Sequence, residues 1–257
     1  MSNDTHPAGR ERMRTLITPV LTCLLLLGAF PSAGSSQVLL VLLFGDKLSN
    51  ESMQIGIKLD RAFTSLTELD GADVRSGWAF GAFAEVPLND TWGLQPELTL
   101  TTPGGAQSFV GDPTGNPTLD GVFTEVSVTR KLSYSNLVLP LRARVGRFAI
   151  GAGPQIGYLR KAQDIYEGLV SGEDQFTLES DISEGLNSWD VGIAGKVEFL
   201  LKPERGMQSA RIHVAPYVGL SDMIRDNTGL AVKGWGVSVG IGIPVGTQSD
   251  DESNEQE

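Results

Sequence analysis

The chain has 257 residues, 31 of them glycine, a formal net charge of −11 and a single cysteine. So acidic a balance excludes a nucleic-acid partner, because phosphate binding needs a basic surface. The lone Cys23 excludes a disulfide within the chain, and the length allows one large β domain or two smaller ones.

At the N-terminus, Arg10, Arg12 and Arg14 precede the apolar run 16–30 and the small-residue stretch "PSAGSSQ". A basic start, a short apolar run and small residues form a secretory signal peptide. The run is too short for a membrane helix, which needs roughly 20 residues. Residues 1–36 are therefore expected to be a signal peptide cleaved after Ser36, with Met13 as an alternative start. Segment 37–52 holds an apolar run of only seven residues, 38–44. It reads as an N-terminal periplasmic or lumen-facing segment, or as an extra strand.

From residue 53 a period-two pattern begins and recurs eight times. "MQIGIKLDRAF" sets Met53, Ile55, Ile57, Leu59 and Phe63 against Gln54, Gly56, Lys58 and Asp60. "GWAFGAFAEVPL" sets Trp78, Phe80, Ala82, Ala84 and Val86 against Gly81, Phe83 and Glu85. "TWGLQPELTLT" sets Trp92, Leu94, Leu98 and Leu100 against Gln95, Glu97, Thr99 and Thr101. "NLVLPLRARV" sets Leu137, Leu139, Leu141, Ala143 and Val145 against Arg142 and Arg144. "RFAIGAGPQIGYL" sets Phe148, Ile150, Ala152, Ile156 and Tyr158 against glycines and Gln155. "SWDVGIAGKVEFL" sets Trp189, Val191, Ile193, Val197 and Phe199 against Asp190, Gly192, Lys196 and Glu198. "ARIHVAPYVGL" sets Ile212, Val214, Val218 and Leu220 against Arg211, His213, Tyr217 and Gly219. The last, "GWGVSVGIGIP", alternates Trp235, Val237, Val239, Ile241 and Ile243 with Gly236, Ser238, Gly240 and Gly242.

Repeated alternation over about ten residues, separated by turn residues, is the signature of a membrane barrel strand. The connections support it. Those after the second, fourth and sixth segments are short, whereas 67–76, 102–133, 160–187 and 221–233 are long. Short periplasmic turns and longer external loops are what such barrels have. The expected fold is all-β: an eight-stranded antiparallel up-and-down transmembrane barrel over 53–246, followed by an acidic disordered tail, 247–257.

The apolar face is expected to meet lipid. Its aromatics Trp78, Trp92, Phe148, Tyr158, Trp189, Phe199 and Trp235 lie near strand ends, where rings favour the membrane–water boundary. The opposite face carries Lys58, Asp60, Glu85, Glu97, Arg142, Arg144, Asp190, Lys196, Glu198 and Arg211, five bases against five acids. In a lumen just wide enough for side chains, these are expected to pair and close the bore. Pro96, Pro140, Pro154 and Pro216 fall inside proposed strands, and bulges are expected there.

The stretch 126–146, "VSVTRKLSYSNLVLPLRARVG", resembles the Tyr-hydrophobic-Pro strand of PorT-like outer-membrane β-barrel proteins, common in Bacteroidetes and related bacteria. "LFGDKLSNES", "APYVGLSDM" and "GWGVSVGIGIP" are similar to parts of that pattern, and the general likeness is to eight-stranded OmpA- or OmpX-like barrels. The resemblance implies outer-membrane residence and no particular reaction. The chain departs from many such barrels in lacking a terminal aromatic residue after the last strand.

Signals for chemistry are few. Apart from His6 in the leader, the only histidine is His213, which the register points inward. No nucleophile elbow, phosphate loop or zinc spacing occurs. Asp112, Asn116 and Asp120 read as turn chemistry rather than a calcium loop. The seven acids between Asp164 and Glu184 read as a solvated face. The chain is expected to be no enzyme and to need no cofactor or metal. Its expected partners are outer-membrane lipids, the barrel assembly machinery and an unidentified extracellular ligand or protein. A small pore, an outer-membrane lipid hydrolase and a secreted lipid-binding barrel stand as alternatives.

Overall fold

A computed structural model describes residues 53–245, except 70, 117–119, 173 and 226–228. The leader, segment 37–52 and the tail lie outside the described residues. Eleven strands follow in chain order: β1 (Gln54–Leu66), β2 (Asp73–Pro87), β3 (Trp92–Leu94), β4 (Glu97–Phe109), β5 (Phe123–Val138), β6 (Leu141–Val145), β7 (Phe148–Val170), β8 (Asp174–Asp181), β9 (Trp189–Leu200), β10 (Arg211–Gly219) and β11 (Gly234–Val245). They make eight staves. β3 runs on into β4 across Gln95 and Pro96, β5 into β6 across Leu139 and Pro140, and β8 and β9 share one side of β7. Every ladder is antiparallel, and β11 pairs β1 from Ile55↔Val245 to Leu66↔Gly234, which closes the ring. The molecule is an eight-stranded up-and-down β-barrel.

Both described chain ends lie at the rim of the tight turns. One such turn is the two-residue loop between Val145 and Phe148. Gly146 has φ +61 there, a conformation that glycine supplies at the first position of a two-residue hairpin loop. Another is tied by Asn89, whose side-chain oxygen accepts from the backbone N–H groups of Thr91 and Trp92.

The four prolines correct an expectation. None of them sits at a bulge. The register of β2 with β3 continues unbroken into β4 past Pro96, and that of β6 with β7 continues into β5 past Pro140 and Pro154. Pro216 likewise leaves its ladders in step. Each proline forfeits a donor, and the carbonyl side of the ladder carries on: the N–H of Gln95 donates to Pro140 at 3.1 Å, Leu139 to Pro154 at 3.1 Å, and Ala84 to Pro96 at 2.9 Å. The bulges fall elsewhere, among them one between Thr99 and Thr102 and one between Ser133 and Tyr134 on their respective ladders. The first of these turns Thr101 outward, to an exposed position, and so corrects its expected place on the lumen face.

Parity sorts the remaining side chains as the alternation requires. Trp235, Val239 and Ile241 point out of the barrel and are more than 40% exposed. The bare face of β11 points in. A Cβ on Gly240 would collide with the Asp60 carboxylate, one on Gly242 would approach Arg211 Cγ to 3.0 Å, and one on Gly236 would approach Thr64 Cγ2 to 3.0 Å. The glycines of β11 thus leave room in a narrow lumen for large charged side chains from neighbouring staves.

Three of the long connections are shorter than expected, the first because β2 already begins at Asp73. β4 and β5 run on to Phe109 and back to Phe123, and β7 and β8 form a hairpin that stands beyond the rest of the barrel.

Candidate functional site

The lumen is stacked in three layers. At the turn end, eight of the ten expected charges join one ionic cluster with His213. His213 Nε2 lies 2.8 Å from Asp60 Oδ1, and Lys58 Nζ lies 3.3 Å from Asp60 and 2.7 Å from Glu97 Oε2. Lys196 Nζ reaches Glu97 Oε1 at 2.5 Å and Glu198 at 3.2 Å. Glu198 meets Arg142 Nε at 2.7 Å, and Glu85 holds both Arg142 and, at 2.6 Å, Arg211 Nη1. Gln95, whose lumen-facing parity was legible, proves to be part of the cluster: its Nε2 donates to Glu198 at 3.1 Å and to Glu97 at 3.3 Å. Arg211 is fixed further by the carbonyls of Met207 and Ser209 and lies 4.9 Å from the Phe83 ring centre. Four acids face four permanent bases, which is how buried charge is made tolerable.

Two expected members are elsewhere. Arg144 lies at the rim, where its guanidinium donates to the Pro203 carbonyl at 2.5 Å within the short 3-10 stretch Pro203–Gln208. Asp190 stands nearer the loop end and accepts from the hydroxyls of Tyr217 at 2.6 Å and Ser221 at 2.9 Å.

Above the ions is a chamber of about 110 Å³. Lys58, Asp60, Glu97 and Lys196 form its floor, and Thr99, Asn136, Gln155 and Asp190 stand on its wall. Its roof is apolar. Leu66, Tyr134 and Met223 line it and belong to a buried cluster with Phe109, Val128, Leu132, Leu159, Leu186 and Val232. The connection 220–233 carries Met223 and Val232 into this roof and is held there: Met223 N–H donates to the Val232 carbonyl at 2.8 Å, and Asp222 accepts from the N–H groups of Ile224 and Val232. Beyond the roof, Arg130 grips Asp164 with two hydrogen bonds of 2.8 and 2.6 Å. Asp164 is thus buried and paired, a correction to its placement on a solvated face. The Asp112–Asp120 loop shows turn chemistry, with Asp120 Oδ1 accepting from the Thr114 N–H and hydroxyl.

All seven expected belt aromatics face outward, in two rings. Trp78, Tyr158, Trp189 and Trp235 stand toward the loop end, and Trp92, Phe148 and Phe199 toward the turn end. Tyr158 packs edge-on against Trp189 at 5.0 Å, and Phe148 against Phe199 at 5.4 Å. Between the rings the exterior holds exposed aliphatic residues, among them Ile150, Ile156, Val191, Ile193 and Val197.

No protein-family model matches the chain, and no curated protein matches its sequence. Among solved structures it is similar to Ail, the attachment invasion locus protein of Yersinia pestis, at 11% identity and a TM-score of 0.40, over 76% of this chain and 98% of that one. Neisserial surface protein A aligns at 10% identity and a TM-score of 0.35, over 74% and 96%. The N-terminal β-barrel domain of Pseudomonas aeruginosa OprF aligns at 10% and 0.23, over 73% and 98%. At these identities and scores, it is the chain's own residues that carry both fold and function.

Proposed function

We propose that the chain is a non-enzymatic outer-membrane barrel, closed by its own side chains, that works through the surface of its loop end. The supporting observation is the spacing of the two aromatic rings. Trp189 and Phe199 on β9, like Tyr158 and Phe148 on β7, are ten residues apart. At a rise of about 3.3 Å per residue and a tilt near 40°, that spans roughly 25 Å of barrel height, the height of a lipid-facing band. Past Tyr158 the next outward residue on β7 is Arg160, and the face turns polar. A sheet wetted by water has no reason to keep its exposed face aliphatic between two aromatic rings and polar beyond them.

The ionic floor and the apolar roof support a closed bore over a conducting one. Function then belongs to the loops and to the β7–β8 hairpin, since a rigid barrel commonly displays its activity there. The PorT-like kinship is supported by segment 126–146 and goes no further than outer-membrane residence. A leader directing export and insertion by the barrel assembly machinery fit the same reading.

Gel migration with and without boiling tests the membrane barrel: the unboiled band should migrate differently from the boiled one, and the protein should fractionate with outer membranes. Identical migration together with a soluble fraction would overturn the reading. The pore alternative rests on the chamber, and planar-bilayer recording decides it, since steady single-channel currents would favour transport. A lipid-hydrolase role would need His213 near lipid. His213 is 2% exposed and held by Asp60 inside the lumen, so His213→Ala is expected to leave lipid turnover unchanged.

A further inference from the structure

The upper wall of the lumen chamber holds a row of groups that the ionic cluster does not use. Thr99, Asn136, Gly157 and Asp190 are successive register partners on β4, β5, β7 and β9. All stand on the lumen face, with Gln155 one step below on β7. Thr99, Asn136 and Gln155 are each more than nine-tenths buried and line the chamber. Among the described residues, no protein group makes a hydrogen bond with their side chains. Burying such groups without partners is costly, so their polar atoms are built to meet something in the chamber.

Asp190 states the charge of that occupant. It is the one acid of the lumen row that no basic side chain touches among the described residues; its partners are two neutral hydroxyls. The lysines of the floor are committed to Glu97, Asp60 and Glu198, and Arg130 to Asp164. Lys196 is six residues from Asp190 along β9, about 20 Å at strand rise. Between Asn136 and Asp190 stands Gly157. A Cβ on Gly157 would lie 2.7 Å from Asn136 Oδ1, 3.4 Å from the Tyr134 ring and 3.6 Å from Asp190 Cβ. The glycine therefore lets the side chains of Asn136, Tyr134 and Asp190 close over it, which gathers an amide oxygen, an aromatic ring and an acid on one stretch of the chamber wall.

We propose that the chamber, at this stretch of its wall, binds a small solute with a primary ammonium head. The head's three N–H donors match the oxygens of Asp190, Asn136 and Thr99 or Gln155, and its charge balances Asp190. A ring beside a bound cation adds attraction. The described residues bring no three His, Cys, Asp or Glu side chains together as a metal would need, which favours an ammonium over a divalent ion. The chamber of about 110 Å³ has room for several water-sized groups and restricts the solute to a few heavy atoms. The inference rests on the barrel interior and does not depend on what the loops bind.

The test is a titration of the full chain, refolded in detergent micelles and labelled with nitrogen-15, using methylammonium chloride at constant ionic strength. Methanol and potassium chloride are the comparison titrants. The side-chain amide signals of Asn136 and Gln155 and the backbone signal of Gly157 are expected to shift saturably with methylammonium and not with the others. Asp190→Asn and Gly157→Ala are each expected to weaken binding by about tenfold or more. Gly157→Ala guards against a folding defect in the other variant, because the atom its methyl meets at 2.7 Å ends a flexible side chain. Absence of saturation, equal shifts with methanol or potassium, or unchanged affinity in folded Gly157→Ala would each overturn the proposal. The gel-migration assay on the same sample reports separately on the membrane barrel.

Discussion

Glu97 shows what a single lumen residue does. Its two oxygens hold two ammonium groups, Lys58 at 2.7 Å and Lys196 at 2.5 Å, with Gln95 at 3.3 Å from one of them. Neutralising it leaves Lys58 only its longer contact to Asp60 and Lys196 only that to Glu198, with one buried positive charge in excess, and breaking a buried pair from one side costs about 3–5 kcal/mol. Glu97→Gln is therefore expected to lower the urea midpoint of the refolded barrel clearly. Gly240→Ala acts by volume instead: its methyl would press on the Asp60 carboxylate and the Leu59 carbonyl. Overpacking of this kind costs about 1–3 kcal/mol, and the same unfolding curve measures it. Both residues were legible in the alternation because parity alone fixes which side a residue faces. Parity does not fix height. Asp190 and Arg144 share a face with the cluster yet lie above and below it, because the stagger of a closed barrel sets which rows meet.

At the scale of elements, the alternation located all eight staves and misjudged the length of several, β2 among them, which begins at Asp73. β4, β5 and β7 continue past the aromatic ring, where Arg160, Lys161 and Glu167 lie on the surface. Once water wets the outer face the contrast between faces fades, and the sequence there reads as loop. The apolar roof was hidden for the same reason: Val128, Leu132 and Leu159 keep lumen parity in stretches whose outer residues are polar. Prolines misled in the opposite sense, since a missing donor does not force a slip when both neighbouring ladders hold the register. The β7–β8 hairpin follows from this anatomy. β9 pairs β7 only from Phe148 to Tyr158, and β8 pairs it only above Gln163. Excising 168–176 and joining Glu167 to Thr177 through Asn-Gly, a favoured two-residue turn, is expected to preserve the Arg130–Asp164 pair and the barrel. The shortened protein should keep its heat-dependent gel shift, and its loss would show that the hairpin is needed to close the ring.

At the scale of the whole molecule, everything turns on which solvent meets the outside. β9 carries the decisive series: Trp189 at one ring, Ile193 near mid-height, Phe199 at the other, with Trp189 and Ile193 both more than half exposed. If hydrocarbon surrounds the barrel, an arginine at Ile193 must bring its charge to the middle of the band, at a cost of about 2–4 kcal/mol, whereas an arginine at Trp189 reaches the headgroups and costs about 0–1 kcal/mol as a charge. If water surrounds the barrel, neither arginine carries a desolvation cost, and losing the Trp189–Tyr158 contact at 5.0 Å makes Trp189→Arg the worse of the two. The ordering of the two variants therefore reverses with the solvent. Unfolding titrations in lipid vesicles are expected to place Ile193→Arg well below Trp189→Arg in stability. The opposite order would mean that water meets this face, and the outer-membrane assignment would fall with it.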